Sequence, residues 1–168
     1  MDRDPSIGPQ SAVTLRQITA ETVIPICNLS DTLSEEHQRM VAPNALSIAQ
    51  AHFSEHAWFR AIYADETPVG FIMLYHGPGH HDPHGEVYFL WRLMIAGAYQ
   101  GMGFGRRGLE LLIEKIVAEG ATELLTSRGQ GEGSPEGFYR ALGFERDGQT
   151  YGDEVGLCLD LRQWAATR

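Results

Sequence analysis

Hydrophobic and polar positions along the chain follow two periods, and the change between them divides it. From Val13 to Ile18 the alternation predicts a strand, and Thr19 then offers an N-cap for a short helix running towards Asn28. Ser30 to Pro43 is polar and acidic. A second helix is predicted from Asn44, its apolar side supplied by Leu46, Ile48, Ala49, Ala51, His52 and Phe53. Trp58 to Tyr63 and Val69 to His76 are aromatic and β-branched runs separated by Ala64-Asp65-Glu66-Thr67-Pro68, the punctuation of a hairpin. A loop with several Gly and Pro residues leads into Glu86 to Ile95, a third strand.

Beyond a glycine-rich turn the period becomes helical. Leu109, Leu112, Ile113, Ile116 and Val117 fall on one helix face, and Gly120 ends the helix. Glu123 to Ser127 predicts a short strand, Ser134 caps a short helix carrying Phe138, Tyr139 and Leu142, and Gly143 stops it. Phe144 to Arg146 and Val155 to Leu161 are the final strands. The order β-α-α-β-β-β-α-β-α-β-β predicts a layered α/β (α+β) fold.

At 168 residues the chain can bury one core without metal or disulfide. Residues 13–168 are expected to form a single domain. The stretch before them, 1–12, holds Asp2, Asp4, Pro5 and Pro9 with no apolar core, and predicts a flexible lead-in. Lys and Arg number 13 against 22 Asp and Glu, and the formal charge of −9 repels a phosphate backbone, so nucleic acid is not an expected partner. The same charge suits a cationic substrate only if acidic groups gather at a cleft; otherwise it serves solubility. Cys27 and Cys158 lack metal or redox spacing and fit a reducing cytoplasm. No apolar run approaches the roughly 18 residues of a membrane span, and no membrane partner is expected. His80, His81 and His84 with Asp82 lie among Pro and Gly, which predicts a loop rather than a metal site. His52 and His56 lack the adjacent Glu of a metalloprotease helix.

The densest chemistry lies in Gln100-Gly101-Met102-Gly103-Phe104-Gly105-Arg106-Arg107-Gly108, between a strand and a helix. Glycines there let successive backbone N–H groups face inwards, and the helix N-terminus adds partial positive charge, so the turn can cradle a pyrophosphate. Residues 103–108 also match the dinucleotide pattern GxGxxG. That pattern, however, opens a parallel βαβ unit near its first strand, whereas hairpins come first here. A P-loop needs Gly-Lys followed by Ser or Thr, and the chain has none. A glycine turn without ligand is the remaining alternative.

Gln100, Gly103 and Gly105 resemble the Q/R-x-x-G-x-G/A signature by which the GNAT acetyltransferase superfamily binds coenzyme A. Trp91-Arg92-Leu93-Met94-Ile95 looks like its central strand, and Phe138-Tyr139-Arg140-Ala141-Leu142-Gly143-Phe144 is similar to its late FY-x-x-x-GF element. Residues 90–92 through 100–101 and 134–139 look most like the spermine/spermidine (diamine) acetyltransferase branch. The resemblance implies a GNAT fold with a splayed, mostly antiparallel sheet, acetyl-CoA as co-substrate, no metal, and a small amine as acceptor, in particular a polyamine. It admits a homodimer.

By that resemblance, Leu93, Met94 and Ile95 offer backbone groups to the pantetheine arm, and Gln100, Gly101, Met102, Gly103, Phe104, Gly105 and Arg106 hold the pyrophosphate. Tyr139 stands at the general-acid position, and Glu86 is the candidate base. Glu35, Glu36 and Glu55 are candidates to grip a distal cation, while Trp91 stands where a related polyamine enzyme has an acidic residue. Other amine acceptors and a non-catalytic acyl-CoA sensor are the alternatives; a sensor has no need of Tyr139.

Overall fold

Asp65, with φ of 49°, turns the chain between β2 (Ala57–Ala64) and β3 (Thr67–Pro78), a backbone conformation that Asp tolerates better than most residues. The computed structural model describes residues 3–167. Its spine is a seven-stranded sheet in the order β1-β2-β3-β4-β5-β7-β6, with β1 at Val13–Arg16, β4 at Glu86–Ile95, β5 at Glu123–Arg128, β6 at Glu145–Tyr151 and β7 at Glu154–Asp160. Every neighbouring pair is antiparallel except β4–β5, which is parallel. The helices are α1 (Val23–Asn28), α2 (Glu35–Met40), α3 (Asn44–His52), α4 (Phe104–Ala118), α5 (Glu136–Ala141) and α6 (Leu161–Ala166). Leu109, Leu112, Ile113 and Ile116 of α4 are fully buried in one core with Ile62, Phe71, Ile72 and Met73 of the sheet.

Two irregularities of β4 shape everything that follows. Its pairing with β3 passes from Met73↔Arg92 to Leu74↔Leu90, so Trp91 is an extra residue, a bulge. On its other edge β4 meets β5 only at Phe89↔Leu125 and Leu90↔Thr126, where Thr126 Oγ1 donates to Leu90 O at 3.0 Å. Past that seam β4 continues with β3 to Ile95, while β5 continues with β7 to Arg128. The sheet therefore opens at the C-terminal ends of its two parallel strands.

Gly70 of β3 pairs with Ile95 across from this opening, and a Cβ there would lie 2.5 Å from the Met94 carbonyl oxygen. Backbone cannot yield as a side chain does. Gly70→Ala is expected to lower stability by about 1–3 kcal/mol, the range for overpacking. An unchanged denaturation midpoint would show that β4 shifts freely.

Several expectations are corrected. Residues 3–12, expected as a flexible lead-in, are mostly exposed but touch the domain: Ile7 is buried, Asp4 N–H donates to Tyr99 Oη at 3.1 Å, and Arg107 Nη1 donates to Ser11 O at 2.7 Å. Met1 and Asp2 lie outside the described residues. The first helix starts after Thr22, whose hydroxyl accepts from Thr19 N–H at 2.9 Å. The acidic stretch contains α2, with Ser34 as its cap. In α3 the buried face is Asn44, Ser47 and Ala51, and Leu46 and Phe53 stand 52% and 88% exposed. Asn44 explains the rotation, because its Nδ2 donates to Ile26 O at 2.8 Å and turns the polar side inwards. Ser134 does not cap α5, since its hydroxyl donates to Gly129 O at 2.9 Å instead. The final strand ends one residue early, and Asp160 caps the unexpected helix α6.

Candidate active site

Where β4 and β5 part, a cavity of about 1010 Å³ opens between Trp91–Ile95, the glycine turn, α2, α5 and the β6–β7 hairpin. Strand alternation gives it two sides. Leu93 and Ile95 share a face with Ile72 and Gly70, and Ile95 packs under Gly105 of α4. Arg92 and Met94 share the opposite face with Met73 and Phe71, where Arg92 Nη2 donates to Gln50 of α3 at 3.2 Å. The bulge keeps Trp91 on that second face too, edge-on to Tyr75 with centroids 6.1 Å apart.

On the α4 side the glycine turn leaves β4 directly. Gln100 Nε2 donates to Ile95 O at 3.0 Å, and Gly103, with φ of 80°, is the N-cap residue of α4. No side chain caps this helix, so its first N–H groups have no intrahelical partners. A Cβ on Gly103 would find open space, with only Arg107 Nε at 4.0 Å. Arg106 lines the cavity and pairs with Glu110 at 3.0 Å, while Arg107 is turned away over the Phe104 ring. These donors, this dipole and this space fit a pyrophosphate.

Tyr139 closes the seam from α5. Its ring packs against Phe138 and Phe144 at 5.2 and 5.3 Å, and it is only 7% exposed. Burial pushes its phenol up to about 12, with Thr126 opposing the shift and the charge of Glu154 adding to it. The start of α5 is fixed by Glu136, which pairs with the buried Arg128 of β5 at 2.7 Å and with Arg146 of β6 at 3.0 Å. Glu154, at the start of β7, also lines the cavity and accepts a hydrogen bond from Ser127 Oγ.

Residues 26–144 match the family model of the acetyltransferase (GNAT) family. The chain belongs to the GNAT family. No curated protein sequence matches it. Among solved structures, an aminoglycoside acetyltransferase in complex with coenzyme A is similar over 93% of this chain and 98% of its own, with a TM-score of 0.72 at 20% identity. A GNAT-family acetyltransferase from Desulfovibrio desulfuricans covers 89% and 99%, with a TM-score of 0.68 at 19% identity. An N-acetyltransferase from Thermoplasma acidophilum in complex with coenzyme A covers the same shares, with a TM-score of 0.61 at 19% identity. This GNAT chain is an acetyl-CoA-dependent N-acetyltransferase with acetyl-CoA as co-substrate.

Of the residues expected to hold acetyl-CoA, Leu93, Met94, Ile95, Gln100, Gly101, Gly103, Phe104, Gly105 and Arg106 line the cavity of the GNAT domain. Met102 does not, because its side chain packs on the core. Phe104 is itself a core side chain, so only its backbone faces the turn. Trp91 and Tyr139 line the cavity as well. Glu86 is not brought there: it stands at the far end of β4, exposed, 3.6 Å from His76. Glu35 pairs with Arg39 at the rim, Glu36 lies beside Gly133, and Glu55 is exposed beyond α3, so none of the three lines the cavity. Sequence reading missed Glu154, Arg92 and Tyr151. The His80 and His81 rings pack on Tyr151 at 5.7 and 5.2 Å, which ties that loop to the cavity wall. Among the described residues no helix is long and apolar enough to cross a membrane.

Proposed function

We propose that this GNAT enzyme acetylates a primary amine by direct attack, with Tyr139 as general acid and Glu154 as the group that receives the amine proton. One observation carries the reading: a buried phenol held protonated at the opening of the sheet, with the cavity's one described carboxylate nearby in charge. Acetyl-CoA supplies the activated acetyl thioester. The β5-facing edge of β4 from Trp91 to Ile95 has no strand partner past the seam, so backbone N–H groups there can align the pantetheine and polarise the carbonyl. The amine nitrogen forms the new C–N bond as the C–S bond breaks. Tyr139 Oη gives its proton to the departing sulfur and regains one from solvent, while Glu154 takes the proton released from nitrogen. Neither cysteine supports an acyl-enzyme. Burial and nearby carboxylates push the Cys158 thiol up to about 12, and burial raises Cys27.

Spermidine and spermine are the acceptors suggested by the branch resemblance, and the charge of −9 favours their approach. Against them, the carboxylates needed for a distal ammonium lie outside the cavity. Thiol release from acetyl-CoA, measured across polyamines, monoamines, aminoglycosides, amino acids and peptide N-termini, tests the activity. Release with at least one amine is expected. Silence across the panel, with acetyl-CoA still bound, would turn the chain into an acyl-CoA sensor.

A further inference from the structure

The acceptor side of the cavity holds a cation with no counter-ion. Arg92 is half-buried on the α3 face of β4, and no carboxylate among the described residues lies within ion-pair distance of it. Its guanidinium has five N–H donors, yet Nη1 donates only to Trp91 O at 2.8 Å and Nη2 only to Gln50 Oε1 at 3.2 Å. Nε is buried and has no partner. Leaving a buried charge uncompensated is costly, and a neutral residue of the same length would fill this place at lower cost. The bulge at Trp91 is what holds the residue on this face. Its guanidinium lies 5.5 Å from the centre of the Trp91 ring, and Trp91, Phe89 and Tyr151 form an aromatic part of the cavity lining, to which Glu154 also belongs.

We propose that the acceptor carries a carboxylate as well as its amine, and that Arg92 binds the carboxylate while the amine faces Glu154; this rests on the acetyl-transfer reading of the same cavity. The substrate class is an amino acid with an apolar or aromatic side chain. A planar guanidinium with free N–H groups matches a carboxylate through two parallel hydrogen bonds. The aromatic wall covers the apolar body of such an acceptor. A zwitterion has no net charge, so the chain's excess of acid does not repel it as it would a multiply charged anion. A polyamine, by contrast, would set an ammonium beside Arg92. Burial already disfavours the charged guanidinium, and the charge of Glu154 offsets this only in part.

The test compares acceptors that differ only by the carboxylate: phenylalanine with phenethylamine, and leucine with isoamylamine, with spermidine as polycation control. With the wild-type enzyme the acid of each pair should release thiol from acetyl-CoA with a kcat/KM at least ten-fold above its partner. Arg92→Gln should shrink that ratio towards one by raising KM for the acid, and Arg92→Lys should restore part of it. The thermal shift given by acetyl-CoA reports that each variant is folded and binds the co-substrate. Equal use of both members of a pair by the wild type, or preference for spermidine, overturns the proposal, as does a ratio that survives Arg92→Gln. Failure of every amine while acetyl-CoA still shifts the melting temperature would instead overturn the acetyl-transfer reading, and this proposal with it.

Discussion

Replacing Tyr139 by Phe should lower kcat about 100-fold or more, the usual scale for loss of a general acid, while acetyl-CoA binds as before. The ring that packs between Phe138 and Phe144 is kept, so α5 keeps its place, and only the proton donor is lost. With the phenol pushed up to about 12, the acid is fully loaded at every physiological pH, and no fall in wild-type kcat below about pH 10 should trace to it. The same displacement has a stability sign. The folded phenol holds its proton above the ordinary tyrosine value of about 10, so its contribution is complete below pH 10 and is lost as pH rises towards 12. Tyr139→Phe should remove that part of the alkaline slope. Turnover at saturating amine and an acetyl-CoA titration measure the two halves. An unchanged kcat would leave Tyr139 a packing residue.

The second large effect is expected at Gly103. Acetyl-CoA at 100 times its Kd should stabilise the folded protein by about 2.7 kcal/mol, because the cradle exists only in the native state. Gly103→Val acts on this in two separable ways. At φ of 80° a side chain is strained by roughly 1–2 kcal/mol, which lowers stability without ligand. Its methyl groups also project into open space beside the start of α4, where the pyrophosphate must approach, and this should abolish the ligand-dependent gain. Thermal melts with and without acetyl-CoA separate the two. A full gain in the variant would move the phosphates elsewhere, and protection by NAD but not acetyl-CoA would favour a dinucleotide site.

What could be read in the sequence was local, and what could not was made by elements meeting. The glycine turn, the α4 stripe from Leu109 to Ile116 and the FY-x-x-x-GF element each announce themselves within a few residues, because turn chemistry and helical period are short-range signals. Five polar residues and Met40 make α2 with no buried side chain, so no apolar period marks it. The face of α3 was misjudged because hydrogen bonds from Asn44 outweighed the placement of Leu46 and Phe53. Glu86 drew attention by lying on the central strand, yet the opening begins after Leu90, and four residues of strand separate the two. Glu154 and Arg92 come from different strands and reach the same cavity only through the β5–β7 pairing and the bulge at Trp91. Nothing in the run from Glu86 to Ile95 reveals that bulge, since apolar residues stand at nearly every position between those ends and set no alternation.

Because Trp91 is one residue more than β3 requires, β4 is written in two frames. In an unbroken alternation Phe89, Leu93 and Ile95 would stand on one face; with the bulge, Phe89 opposes Tyr75 on the side that carries Arg92 and Met94, while Leu93 and Ile95 stay under α4. The half of the strand before Trp91 and the half proposed to align the thioester donor are thereby out of phase. Changes at Phe89 or Trp91 can reshape one without rotating the other. On the proposed division of the site, single substitutions at Phe89 or Trp91 would alter the acceptor side and leave the donor half in register.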